Sequence, residues 1–360
     1  MEEHSVSKNV HVVGTGTIGE PLTGLLLTHR EAFGIGEVSF HKRTPLMTDR
    51  SKVLNLVDKG ARLVVDEDRA GAFRELGMEP SYETHEALGA ASVVIDCTPI
   101  GNRMKEMLYS KYTDTVSGFI AQGSEFGFGR MYARGINDHA LRPGQDQFIQ
   151  VVSCNTHNLA VITDTVAGLE GGAENLASAD FVCLRRANDI SQDDSFMPAP
   201  TVGVHKDERF GTHHARDLWH LYQTLDIDLG AVFSSALKLP TQYMHTIHFR
   251  VDTRSPIDLD QVKERIRSNP RLATTYKQSS NSVFSFGRDH GHFGRILNQT
   301  VFCLPSFHLS QDRRTLTGFC FTPQDGNSLL SSVSATLWFL DADDYAERLQ
   351  ALQQFFFDEI

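Results

Sequence analysis

A chain of 360 residues exceeds the size at which one core stops growing, so two domains are expected, and 40% hydrophobic residues suffice to fill both. A formal charge of -11 excludes nucleic acid or an anionic membrane as the main partner and points to small-molecule chemistry. Five cysteines without close pairs fit a reducing compartment. With no apolar run of membrane-spanning length and a polar, acidic start (MEEHSVSKN), the expected location is the cytoplasm.

Residues 9–13 form a short β-prone run, and Gly14-Thr15-Gly16-Thr17-Ile18-Gly19 follows at once, before a helix-like stretch over 20–33. In that setting Gly14 permits the tight turn, Gly16 lets backbone approach a pyrophosphate, and Gly19 lets the helix pack against the strand with its N-terminus facing the negative charge. The next strand, 36–40, ends in His41-Lys42-Arg43, where NAD-specific sites usually carry an acid. Lys42 and Arg43 suit a 2′-phosphate instead, so the expected cofactor is NADP or NAD.

Amphipathic stretches over 70–78 and 84–91 lead to a near-continuous apolar strand, 92–99. A further strand over 117–123 runs into Gln122-Gly123-Ser124-Glu125. Alternation of this kind predicts βαβ units in a doubly wound parallel sheet, with ligand loops at the carboxyl ends of the strands.

The run VVSCNTHNLAV then delivers Cys154 from a short apolar strand into a polar, turn-prone segment. A thiol attacks as the thiolate, and a strand-to-helix turn is expected to lower its pKa by aiming free backbone N–H groups at sulfur. Asn155, Thr156 and Asn158 suit such a turn, because short polar side chains cap helices and Asn tolerates a left-handed backbone.

Beyond a helix over 157–168, the runs at 180–188, 231–239, 244–252, 302–309 and 315–321 are β-rich and predict a mixed, mainly antiparallel sheet. A charged amphipathic helix spans 258–272, the loop 191–200 is rich in Pro and acids, and 343–360 reads as a helix returning to the first domain. The fold class is therefore α/β, a Rossmann-type nucleotide domain plus an α+β catalytic domain. The boundaries fall at 1–153, joined by the C-terminal helix, about 325–360, and at 154–324.

Taken together, these residues resemble the archaeal, type II, phosphorylating glyceraldehyde-3-phosphate dehydrogenases. GTGTIG is similar to that family's glycine turn, AQGSE to its QGGE, and VVSCNTHNL to its VSCNTTGL. CLRRANDISQDD resembles its strand with paired arginines and an acidic loop. GTHHARD resembles HHGPD, KLPTQYMHTIH resembles VPTTLMHMH, and FGRDHG resembles YGRDLG. Seven landmarks in order make the resemblance specific.

The resemblance implies a homotetramer that oxidises glyceraldehyde 3-phosphate with inorganic phosphate to an acyl phosphate, with no metal. Cys154 would attack the aldehyde, and His245 would be the base, holding the thiolate as an ion pair. Strand alternation sends His248 to the opposite face from His245. Ser153, Asn155, Thr156, His213 and His214 would bind substrate. Gly14, Gly16, Thr17, Ile18, Gly19, Lys42, Arg43, Gly123, Ser124, Arg186 and Gln324 would bind cofactor.

Two departures stand out. His157-Asn158 replaces Thr-Gly behind the nucleophile, putting bulk and a titratable ring where a phosphate is expected to dock, and Arg216 adds a cation near the substrate pocket. A metal reading of His213, His214, His290 and His292 is set aside, since they lack Cys or carboxylate partners at fixed spacing. The alternatives are a semialdehyde dehydrogenase of similar build and a non-catalytic NADP-binding homologue.

Overall fold

A computed structural model describes residues 8–123, 125–168, 173–190, 192, 196–323 and 325–360. Ser124, Gln324 and part of the 191–200 loop lie outside them. Chain contacts divide the protein into two units. The first comprises Met1–Arg130, Leu141–Val151 and Ser331–Ala351; the second comprises Met131–Ala140, Val152–Leu330 and Leu352–Ile360. The sequence reading drew its boundaries at 153/154 and 324/325; the chain crosses at 151/152 and 330/331, and the second unit also takes in 131–140 and the last nine residues.

The first unit alternates strand and helix in chain order: β1 (Val10–Val13), α1 (Gly19–Thr28), β2 (Val38–His41), α2 (Arg50–Asp58), β3 (Arg62–Val65), α3 (Ala70–Glu75), β4 (Tyr82–Glu83), α4 (Thr84–Ala90), β5 (Val93–Asp96), α5 (Gly101–Met107), β6 (Gly118–Gln122), β7 (Arg130–Tyr132) and β8 (Phe148–Val151). The sheet order is β4-β3-β2-β1-β5-β6-β8-β7, and the pairs from β4 through β8 run parallel. From β1 the chain steps outward to β4, then returns beside β1 as β5, which makes the β1–β5 edge the topological switch point of the doubly wound sheet. Apolar residues bury β1 and β5 on both faces, as helices covering a parallel sheet require.

The second unit holds α6 (Cys154–Ala167), β9 (Leu176–Arg185), β10 (Thr201–Val202), α7 (His213–Gln223), β11 (Ala231–Lys238), β12 (Thr246–Thr253), α8 (Leu259–Ser268), β13 (Leu272–Thr275), α9 (Ser280–His290), β14 (Thr300–Leu309) and β15 (Thr315–Phe321). Their sheet order is β10-β11-β9-β12-β15-β14-β13. It is mixed and mainly antiparallel, with β11/β9 and β13/β14 as its parallel pairs. Helix α6 packs on β9 and β12 and α7 on β11, around a core that includes Leu159, Ile162, Phe181, Leu218, Phe249 and Phe302. Each such fully buried side chain contributes about 1.5–3 kcal/mol of burial free energy.

The C-terminal region departs from the sequence reading. The expected C-terminal helix over about 325–360 is broken into α10 (Gly326–Leu340), α11 (Tyr345–Arg348) and a 3-10 turn at Leu349–Phe355. The expected continuous helix over 343–360 ends there because the tail's backbone is bonded elsewhere. Phe355 O accepts from Leu297 N, Asp358 O accepts from Thr274 N, and Ile360 N donates to Thr274 O. Among the described residues no helix is long and apolar enough to cross a membrane.

Candidate active site

Gly14 follows β1 at φ +94, and its N–H donates to His41 O at the end of β2. A Cβ on Gly19 would lie 2.0 Å from Gly14 O, so the turn closes only with glycine at both ends. A Cβ on Gly16, by contrast, would meet nothing within 4 Å. That open side, with α1 starting at Gly19 behind Ile18 and no side chain capping it, leaves backbone N–H groups for an anion. The residues present fit a dinucleotide pyrophosphate.

At the end of β2, Lys42 is bonded to Asp49, whose carboxyl is held below its usual range: burial raises it, but Lys42 more than offsets this. Lys52 reaches Thr15 O in the glycine turn at 3.3 Å. Arg43 is exposed and makes no ion pair among the described residues. Of the two cations picked out from sequence, only Arg43 is uncommitted. Gly123 sits just past β6, its N–H bonded to Val151 O.

In the second unit Cys154 is the first residue of α6, and Ser153 is its cap. Ser153 has an extended backbone and its Oγ accepts from Thr156 N at 3.2 Å, while Gly168 at φ +62 ends the helix. Asn155, Thr156 and Asn158 are thus helical, not turn residues, and the left-handed backbone expected at Asn158 does not occur.

Three hydrogen bonds tie the start of α6 to the segment after β15. Asn158 Nδ2 donates to Thr322 Oγ1 at 2.6 Å, Thr322 Oγ1 donates to Asn155 Oδ1 at 3.3 Å, and Asn327 Nδ2 donates to Cys154 O at 3.0 Å. His157 also departs from expectation. It is fully buried, its Nδ1 donates to Ser153 O, and burial pushes its pKa from 6.5 down to about 4. It braces the cap as a neutral ring and presents nothing to a phosphate.

Arg186 and Asp325 act on the thiol, and His245 adjoins both of them. Arg186 is 2% exposed, and its Nη2 joins Asp325 Oδ2 at 2.8 Å to Asp189 Oδ1 at 3.0 Å. The Arg186 N–H donates to His245 Nδ1 at 3.0 Å, and Thr322 N holds His245 O at 3.0 Å. Burial, and then the Arg186 charge, push the His245 pKa from 6.5 to about 3. His248 lies on the other side of β12, its ring against Phe319 at 5.0 Å.

The Cys154 thiol is raised well above its ordinary pKa, first by burial and then by the Asp325 carboxylate to which it donates. The expected lowering by the helix N-terminus is thus overridden, and the expected thiolate–imidazolium pair is absent from this arrangement.

Thr212 caps α7, accepting from His214 N, so the two histidines open that helix. His214 is 3% exposed, its Nδ1 lies 3.5 Å from Ser153 Oγ, and its Nε2 is buried with no hydrogen-bond partner among the described residues. Both rings are neutral: burial drives His214 well below 6.5 and His213 to about 4. Arg216 lies against the buried Asp217 carboxylate at 2.8 Å. Among the described residues, no group of three or more His, Cys, Asp or Glu could hold a metal ion.

Two residues escaped the sequence reading. Arg185 ends β9, is exposed, and its charge acts on His213, His214 and His245. Asp325 sits at φ +68 with 7% exposure among Arg186, Arg295, His245 and Cys154. The pairing of Arg185 with Arg186 was visible, but not which of the two stays exposed. Asp325 carries no local motif at all.

The structure thus brings Cys154, Ser153, Asn155, Thr156, His213, His214, Arg186 and His245 into the second unit. Gly14, Gly16, Thr17, Ile18, Gly19, Lys42, Arg43 and Gly123 belong to the first.

No family model matches the chain. Curated relatives do. A glyceraldehyde-3-phosphate dehydrogenase of Methanobacterium formicicum is 26% identical over 300 residues, 81% of either chain. One of Methanobacterium bryantii is 28% identical over 276 residues, 74% of this chain and 73% of that protein. One of Sulfolobus acidocaldarius is 23% identical over 310 residues, 82% of either chain. The similarity to these archaeal proteins therefore extends over most of the chain.

Proposed function

We infer that this chain, an enzyme of the archaeal glyceraldehyde-3-phosphate dehydrogenase type, oxidises glyceraldehyde 3-phosphate through a covalent intermediate on Cys154 and passes the acyl group to inorganic phosphate. The supporting observation is the thiol at the first position of a Ser-capped helix, with Arg186 and Asp325 acting on it, His245 bonded to the Arg186 backbone and His214 beside the Ser153 cap. A nicotinamide nucleotide, when bound, accepts hydride. Gly14, Gly16, Thr17, Ile18, Gly19 and Gly123 would hold it. Exposed Arg43, with Lys42 released from Asp49, would favour a 2′-phosphate and hence NADP over NAD.

Cys154 Sγ bonds to the aldehyde carbon, and the carbonyl oxygen becomes an alkoxide facing His245. Loss of hydride from that carbon restores the carbonyl as a thioester, and phosphate oxygen then displaces sulfur to give the acyl phosphate. Arg185 would meet the substrate's phosphate by charge, and His214 Nε2, without a partner among the described residues, by a hydrogen bond. Ser153 and Asn155 flank the sulfur as donors. A homotetramer in the cytoplasm, turning over reversibly, completes the reading that the resemblance supports.

The experiment is a steady-state assay with NADP and with NAD, with and without phosphate, on the wild type and Cys154→Ser. Reduction with triose phosphate that needs phosphate and is lost in Cys154→Ser supports the reading. Equal turnover in both proteins, or no turnover with either cofactor, overturns it.

A further inference from the structure

We propose that the Asp49 carboxylate holds the place of a nucleotide's 2′-phosphate between Lys42 and Lys52, competing with that phosphate, and that Lys52 helps to receive it. The proposal deepens the reading of the first unit as a nucleotide site and rests on it.

The first ground is the position of three side chains. Lys42 directly follows β2, whose last residue, His41, accepts from Gly14 N through its carbonyl, so the strand end lies against the glycine turn. Lys52 stands in the first turn of α2, and its Nζ donates to Thr15 O in the same glycine turn at 3.3 Å. Asp49 joins the two: its Oδ2 is 2.5 Å from Lys42 Nζ and its Oδ1 is 3.8 Å from Lys52 Nζ. One carboxylate therefore bridges two ammonium groups at the strand end where a doubly wound sheet receives the adenosine ribose. Two cations converging on one small anion is the arrangement that a phosphate monoester requires.

The second ground is that both residues forgo what the helix beside them offers. Lys52 lies where the dipole of α2 disfavours a cation, and that first turn holds no acid to offset it. Asp49 is the N-cap of α2, a position where aspartate ordinarily accepts from the free N–H groups, yet its side chain makes no capping bond. Glu20 Oε2, 3.6 Å from Lys52 Nζ, brings the resting cluster to two lysines and two acids. At the next strand end Asp66 is committed to His41 and Thr84. Burial raises the Asp49 pKa, but Lys42 and then Lys52 hold it below the ordinary carboxylate value, so it is an anion at neutral pH.

A nucleotide whose adenosine ribose carries only hydroxyls leaves this contact intact. One with a 2′-phosphate brings nearly two negative charges, and Asp49 must yield both lysines to it. The freed carboxylate then has the start of α2 to face, where the dipole favours it. Displacement costs only the 2′-phosphorylated nucleotide, so Asp49 narrows the preference for NADP over NAD and Lys52 widens it.

The test is equilibrium binding without substrate: calorimetric titration of the wild type, Asp49→Asn and Lys52→Gln with NADPH, NADH, adenosine 2′,5′-bisphosphate and 5′-AMP. Asp49→Asn should tighten NADPH and the bisphosphate by about five- to tenfold, the worth of a part-buried ion pair, and leave NADH and 5′-AMP within about twofold. Lys52→Gln should weaken the two 2′-phosphorylated ligands by about tenfold relative to the other two. An Asp49→Asn protein that binds NADPH and NADH in the wild-type ratio overturns the proposal. So does one that binds NADPH more weakly, since Asp49 would then serve to hold Lys42 in place. If Asp49→Asn does not fold, Lys52→Gln decides: equal weakening of all four ligands contradicts the proposal. Failure of the nucleotide reading shows separately, as a wild type that binds none of the four, and overturns both.

Discussion

The backbone N–H of Arg186 lies 3.0 Å from Nδ1 of His245, and that single bond decides which nitrogen of the ring can act. A donor at Nε2 can be imitated by an amide, whereas a base cannot. His245→Ala should lower kcat by about 10²–10³, the usual cost of removing one donor from a developing oxyanion, and His245→Gln should recover part of it. Steady-state kinetics at saturating substrate distinguish the roles: equal loss in both variants means that the ring works as a base.

Arg185 and Arg186 are neighbours with opposite surroundings, one exposed and the other buried between Asp189 and Asp325. Arg185→Ala should raise KM for glyceraldehyde 3-phosphate by about ten- to a hundredfold, the worth of a charge-assisted contact of ~1.5–3 kcal/mol, and should leave KM for unphosphorylated glyceraldehyde unchanged. Arg186→Ala should instead lower the melting temperature, because it strands two carboxylates, one of them buried. An Arg185→Ala enzyme with unaltered KM contradicts this division.

His157 and Asn158 are neighbours in α6 with different partners. His157→Thr should leave the phosphate KM unchanged. Asn158→Gly removes the donor to Thr322 and Cys154 O and puts glycine inside a helix, so it should cost about 2–4 kcal/mol of stability. Thermal melting and phosphate titration read the two effects separately. A shift in phosphate KM in His157→Thr would mean that the ring reaches the substrate after all.

Burial holds His11, His157 and His245 at about 3, 4 and 3 in the folded chain, against 6.5 unfolded. Below 6.5 the unfolded chain binds protons that the folded chain refuses. The stability these groups allow is therefore fully present above 6.5 and is lost as pH falls toward 4, by up to ~1.4 kcal/mol per histidine per pH unit. Urea unfolding across that window should show a midpoint falling steeply with acid; a flat midpoint would contradict the buried neutral state.

The parts legible in sequence are those with local physics behind them. The glycine turn reads from three positions, and β12 reads from its alternation. Cys154 reads as a candidate nucleophile because an apolar run delivers it into a polar, turn-prone segment. Helix α10 was legible only in outline, because GNSLLSSVSATLWFL looks half polar. Ser331, Ser332, Ser334 and Thr336 are nevertheless buried, with Thr336 Oγ1 bonded back to Ser332 O at 2.7 Å. Asp325 is one acid among 45, and what gives it meaning is an arginine 139 positions away. The thiol's raised pKa was unreadable for the same reason, since helix start and cap both argue the other way.

The most direct measurement of the central claim is rapid mixing of the NADP-loaded protein with glyceraldehyde 3-phosphate in the absence of phosphate, with mass analysis of the quenched Cys154 peptide. A burst of reduced cofactor stoichiometric with the chain, an acyl group on Cys154, and its release when phosphate is added are the expected results. A burst that leaves Cys154 unmodified, or that persists in Cys154→Ser, would contradict it.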